Sequence, residues 1–187
     1  MAPSLNTLHP AVVACLTDVA RALRGIRYRL AGGCALAALG VGRPTQDVDV
    51  VVARSRWADA LAALRPLTVD AERMGLPGEP EPEAILRTRR GPFIEVFPEG
   101  VTAAEICRLR LGTARRSPAG RIALTLRGSA LVALINSKLA SYLSAPDRIR
   151  DLGDVQSIIA ARRLTAAFAT RLHPAVRAAF VRAVPRR

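Results

Sequence analysis

Residues 44–52 read Pro-Thr-Gln-Asp-Val-Asp-Val-Val-Val. β-Branched residues at that density predict a strand over 47–53, buried on both faces. Side chains alternate along a strand, so Asp47 and Asp49 share a face, with Cα atoms about 6.5–7 Å apart. Two carboxylates held that close with little water repel, and one pKa is pushed up. Two arrangements escape this cost: a strand end open to solvent, with both groups hydrated, or a divalent cation between them.

The surrounding elements narrow the architecture. Residues 10–24 carry Val13, Leu16, Val19 and Leu23 at helical spacing. "RYRLA" (27–31) alternates as a strand, Gly32-Gly33 follow, and a short helix runs through Leu36 and Leu39. "SRWADALAALRPL" predicts a helix and "GLPGEPEPE" (75–83) a loop. "AILRTRR" and "FIEVFP" predict strands joined at Gly91-Pro92. "TAAEICRLRL" predicts a helix and "GRIALTL" (120–126) a strand. From Ser129 onward the pattern is helical, punctuated by Pro146, Pro174 and Pro185. The expected fold is α/β (α+β): a small mixed sheet flanked by helices over 1–127, then a helical part over 128–187. Strand, Gly-Gly, helix and acidic strand in that order bring a phosphate-tolerant backbone and two carboxylates to one sheet edge, as an NTP with Mg²⁺ requires. Glu95, within Phe93-Ile94-Glu95-Val96-Phe97, is a third carboxylate; it either faces water on an edge strand or has a partner or a function.

Charge divides the 187-residue chain, whose net charge is +13. Residues 1–105 carry 12 Arg and 12 acids. Residues 106–187 carry 16 basic residues against Asp147, Asp151 and Asp154, so the whole excess lies there. After Asp154 there are seven arginines, Arg162, Arg163, Arg171 and Arg177 among them, and no acid. A GC-rich genome with an arginine-heavy, solvated surface explains Arg over Lys but not the missing carboxylates, and such a patch attracts nucleic acid. No apolar run reaches the length of a membrane span. Cys15, Cys34 and Cys107 have no metal-ligand spacing and read as reduced packing residues; with no signal-peptide pattern at the start, a cytoplasmic protein is expected. His9 and His173 each precede a proline near a terminus, which argues against a histidine-based dyad.

Of 28 basic residues, only Lys138 is a lysine. It falls on the apolar stripe Leu131, Leu134, Ile135, Lys138, Tyr142. An amine there reads either as a snorkelling side chain or as the occupant of a place too narrow for a guanidinium. Asp151 and Asp154, one helix turn apart beside Val155 and Ile158, are candidate ion-pair partners.

Together these stretches resemble a known superfamily. "GGCALAALGVGRPTQDVDV" resembles the first motif of the DNA polymerase β-type nucleotidyltransferases, and "IEVFP" is similar to their third-acid strand, with glutamate for the more usual aspartate. "INSKLASYLSAPDRIRDLGDV" resembles the lysine helix and Arg-Asp-x-x-Asp helix of AbiEii-like and MenT-type toxins. The resemblance spans about residues 25–160. It implies that Asp47 and Asp49 bind Mg²⁺, that Gly32, Gly33, Arg43 and Thr45 line the triphosphate, and that Lys138 contacts phosphates. Asp151 or Asp154 would complete the site from the C-terminal part, with Glu95 as a candidate base. An acceptor hydroxyl would attack the α-phosphorus in line and pyrophosphate would leave. Thr45, two residues before Asp47, either caps the turn or is a regulatory phosphorylation site, since phosphate there would repel the NTP.

Three functions compete. The first is nucleotide transfer to RNA, with the tRNA 3′ end as acceptor and a cognate antitoxin as partner. The second is transfer to a small molecule, as in aminoglycoside-modifying enzymes. The third is a non-catalytic RNA-binding module. A polycationic antibiotic needs an acidic cleft, so the arginine-rich half favours RNA over the second.

Overall fold

The computed structural model describes residues 8–42, 44–74, 81–112, 117–126 and 129–185. They group into two units, Met1–Gly100 and Val101–Arg187. The sequence places its division after residue 127 instead; the stretch 101–126 groups with the C-terminal helices.

In the first unit the chain runs α1 (Pro10–Ala22), β1 (Tyr28–Leu30), α2 (Gly32–Ala38), β2 (Asp47–Val52), α3 (Trp57–Leu64), β3 (Thr68–Met74), β4 (Glu83–Thr88) and β5 (Phe93–Pro98). The sheet order is β1-β2-β5-β4-β3. Only β2 and β5 pair in parallel; the other neighbours are antiparallel, so the sheet is mixed, as expected. The register alternates the β2 side chains cleanly. Val48, Val50 and Val52 point to one face, where they join Ile94, Val96, Ala84 and Leu86 with Val12, Cys15 and Val19 of α1 and Ala60 and Leu64 of α3 in a buried core. Asp47 and Asp49 therefore take the other face.

β3 carries no strand signal in the sequence. It is an edge strand, and from Val69 to Arg73 every residue is exposed, so Thr-Val-Asp-Ala-Glu-Arg shows no alternation to read.

The second unit contains α4 (Ala103–Leu111), α5 (Ala130–Ser144), α6 (Ile149–Arg162) and α7 (Pro174–Ala183). Thr102 and Glu105 close a reciprocal capping box on α4, and Gly112 ends it in the left-handed conformation. The strand expected over 120–126 does not form. Pro118–Arg121 is a 3-10 turn, and Ala123 makes only an isolated antiparallel bridge to Thr102. Ile122 and Leu126 are buried as loop residues, since among the described residues no strand lies alongside to extend the pairing. Both histidines act as helix caps: Nδ1 of His9 accepts from the Ala11 N–H, and Nδ1 of His173 from the Ala175 N–H, each at 3.2 Å, with proline opening the helix. All three cysteines are buried free thiols. Among the described residues, no helix is long and apolar enough to cross a membrane.

Candidate active site

The parallel β2–β5 register sets Asp49 directly opposite Glu95 and Asp47 opposite Phe93. Carboxylate oxygens of Asp47, Asp49 and Glu95 all lie within 4.8 Å of one another. Asp49 and Glu95 are buried, and Asp47 is partly exposed. This answers the question posed by the acidic strand: the carboxylates are not spread into solvent but gathered by register into a cluster. A set of hard oxygen donors at that spacing fits a divalent cation of the Mg²⁺ type.

The two glycines are required by close approach. A Cβ on Gly32 would lie 1.8 Å from Oδ2 of Asp49, and one on Gly33 would lie 2.4 Å from Oγ1 of Thr45. Gly32 also has φ of 48°, where a side chain is strained. Thr45 is buried, and its hydroxyl donates to Oδ1 of Asp47. The Cys34 thiol donates to the Asp47 carbonyl at 3.5 Å. Burial first, then the charges of Asp49 and Asp47, push its pKa up to about 12, so it stays a neutral thiol. Arg43 lies outside the described residues.

The second unit holds its own ionic cluster. Lys138 is buried on α5, with Nζ 2.8 Å from Oδ1 of Asp151 and 2.7 Å from Oδ2 of Asp154. Arg148 Nε lies 2.7 Å from the other Asp151 oxygen. Two acids and two bases balance, which is what makes such burial tolerable. Burial alone would raise the Asp151 pKa, but the charges of Lys138 and Arg148 and hydrogen bonds from Lys138 and Ser141 outweigh it and hold it below its ordinary value of 3.8. The lysine stripe and the Asp-x-x-Asp spacing make Lys138, Asp151 and Asp154 visible in the sequence. The parts of Arg148 and Ser141 are not visible there, because they depend on how α5 meets α6.

The arginines read as nucleic-acid contacts are all exposed, but they are not equivalent. Arg177 donates from Nε to the Leu172 carbonyl at 3.0 Å and from its terminal nitrogen to the Thr170 carbonyl at 3.3 Å, so much of its guanidinium is spent on the chain itself. The Arg171 guanidinium lies 5.0 Å from the Phe168 ring centroid. Arg163 closes α6 in the left-handed region, φ 50°, the one non-glycine residue with positive φ among those described. On the helix-covered face of the sheet, a trough of about 710 Å³ between α3 and β3 contains none of the predicted site residues.

No family profile and no curated protein matches the chain. Solved structures do. A crystal structure of ANT(2″)-Ia in complex with adenylyl-2″-tobramycin superimposes with a TM-score of 0.58 at 15% identity, covering 90% of this chain and 96% of that one. The solution structure of the antibiotic-resistance factor ANT(2″)-Ia gives 0.50 at 15% identity, over 86% and 92%. The chain therefore shares the fold of these ANT(2″)-Ia structures.

Because the folded Asp151 pKa is depressed, its unfolded form binds the proton more readily. The stability it contributes is present above pH 3.8 and is lost as pH falls through the depressed folded value. Thermal melts between pH 3 and 6 should therefore show Asp151→Asn losing less on acidification than the wild type. At neutral pH, Lys138→Met should cost about 3–5 kcal/mol, since it leaves two buried carboxylates against one partner; chemical denaturation measures this.

Proposed function

We propose that this protein transfers a nucleoside monophosphate from an NTP to an acceptor hydroxyl. The observation that carries the reading is the triad Asp47, Asp49 and Glu95 on a sheet of nucleotidyltransferase type. Asp47 and Asp49 would hold Mg²⁺, which when bound supplies charge neutralisation at the α-phosphate and the leaving pyrophosphate. Glu95, facing Asp49 across the strands, takes the proton of the attacking hydroxyl. The hydroxyl oxygen bonds to the α-phosphorus, and the bond from that phosphorus to the pyrophosphate oxygen breaks. By the family resemblance Gly32, Gly33, Arg43 and Thr45 would line the triphosphate; the two glycines leave room for the Asp49 and Thr45 side chains beside them. By the same resemblance Lys138 binds phosphate, and Asp151 or Asp154 is its catalytic partner.

Charge supports RNA as the acceptor: the excess of +13 lies in residues 106–187, and Arg162, Arg163 and Arg171 are exposed. An arginine at a left-handed helix cap costs about 1 kcal/mol relative to glycine, which a guanidinium used in binding would justify. On this reading the acceptor is the tRNA 3′ end, as for AbiEii-like and MenT-type toxins, and the partner is a cognate antitoxin. Phosphorylation of Thr45 would silence the enzyme. Its hydroxyl is buried against Asp47, so the turn must open first. A small-molecule acceptor is the second reading, supported by the likeness to ANT(2″)-Ia, which was solved with an adenylylated tobramycin.

Incubation with each α-labelled NTP and either total RNA or an aminoglycoside separates the two readings. Label is expected on RNA, and Asp49→Asn should abolish transfer while leaving the fold intact, checked by circular dichroism. Label on the aminoglycoside alone selects the second reading; full transfer by Asp49→Asn refutes the metal assignment. Replacing Arg162, Arg163 and Arg171 with glutamine should reduce the log–log salt slope of RNA binding by about 2. Arg163→Gly should bind RNA more weakly while melting at a higher temperature than the wild type.

A further inference from the structure

The acidic face of the sheet has a second half that the transfer chemistry does not use. In register across β2, β5 and β4 run two rows: Asp49, Glu95, Ile85, and Asp47, Phe93, Arg87. The first two columns hold the three carboxylates and Phe93. The third holds Ile85, partly exposed, and Arg87, exposed. Phe93 is an anomaly for a strand otherwise buried from Ile94 to Pro98: it is 38% exposed. Its ring does not join the core, because parity with Glu95 turns it away from Val48 and Val50. The Arg87 guanidinium lies 5.9 Å from its centroid. Phe93, partly exposed, is therefore the cross-strand neighbour of Asp47, one backbone strand spacing of about 5 Å away, and carries a cation over its ring.

Resting on the reading that RNA is the acceptor, we propose that Phe93, backed by Arg87, is the platform for the acceptor's terminal nucleotide: the base stacks on the ring and Arg87 takes a backbone phosphate. Three features favour this occupant. A planar base is what an exposed ring recognises without regard to sequence. The guanidinium beside the ring favours an anion and opposes a polycation. The order along the rows matches the order within a nucleotide: with the base over Phe93, the attached ribose comes beside Glu95, the group that takes the hydroxyl proton. Ile85 gives the sugar an apolar neighbour. Phe93 is thus a positioning residue for the acceptor and has no part in holding the NTP.

The test uses the full chain and a single-stranded RNA dodecamer with 2-aminopurine as its 3′-terminal base, without NTP. Stacking on the ring should quench its fluorescence for the wild type and Phe93→Trp, but not for Phe93→Ala. Phe93→Ala should raise the KM for RNA about fivefold or more while leaving the KM for NTP unchanged, and Phe93→Trp should restore it. Arg87→Gln should lower the salt slope of binding by about 0.7. Phe93 is exposed, so its loss should not disturb folding; an unchanged melting temperature checks this. Equal quenching by Phe93→Ala and wild type, or no quenching by either, overturns the platform even where the wild type transfers nucleotide to RNA. Failure of the wild type to label RNA overturns the acceptor reading itself.

Discussion

Asp49 and Glu95 face each other across two parallel strands, with Asp47 beside them, and the rest of the first unit is organised around that proximity. Three carboxylates with oxygens inside 4.8 Å oppose folding unless something offsets them. The sheet meets the cost from behind: the alternate residues of the same strands, Val48, Val50, Ile94 and Val96, are fully buried against α1 and α3. Burial of one such side chain contributes roughly 1.5–3 kcal/mol. The acids cannot leave the cluster without a register slip that would carry the valines out of the core. The cluster is thus fixed in place by packing on the opposite face.

The same face explains the small residues near it. Gly32 and Gly33 are not generic turn residues, since each lies where a Cβ would collide with Asp49 or Thr45. Thr45 closes the arrangement by donating to Asp47. In the second unit a different solution serves buried carboxylates. Asp151 and Asp154 are neutralised by Lys138 and Arg148 directly, which leaves that cluster balanced and holds Asp151 ionised. Among the described residues, Asp47, Asp49 and Glu95 gather carboxylate oxygens within 4.8 Å of one another, the spacing of a cation site.

Much of this was legible in the sequence because it rests on local period. The Asp-x-Asp alternation on a β-branched strand, the glycines before it, Glu95 amid apolar neighbours and the lone lysine on an apolar stripe are all patterns within one element. What was not legible depends on partners distant in sequence. β3 shows no alternation because it is an exposed edge. Residues 120–126 have strand composition but, among the described residues, no strand beside them. Phe93 shows in the sequence only as an apolar neighbour of Glu95, and its parity with Glu95 turns it outward. Arg177 reads as a free cation until its guanidinium is found on two backbone carbonyls.

The central claim is that the triad Asp47, Asp49 and Glu95 is a divalent-cation site. Electron paramagnetic resonance of Mn²⁺ titrated into the protein tests it without any assumption about the acceptor. The account predicts saturable loss of the free Mn²⁺ signal at one site per chain, competition by Mg²⁺, and loss of that site in Asp49→Asn with Asp151→Asn unaffected. Mn²⁺ that stays free, or that binds Asp49→Asn as tightly as the wild type, would contradict it.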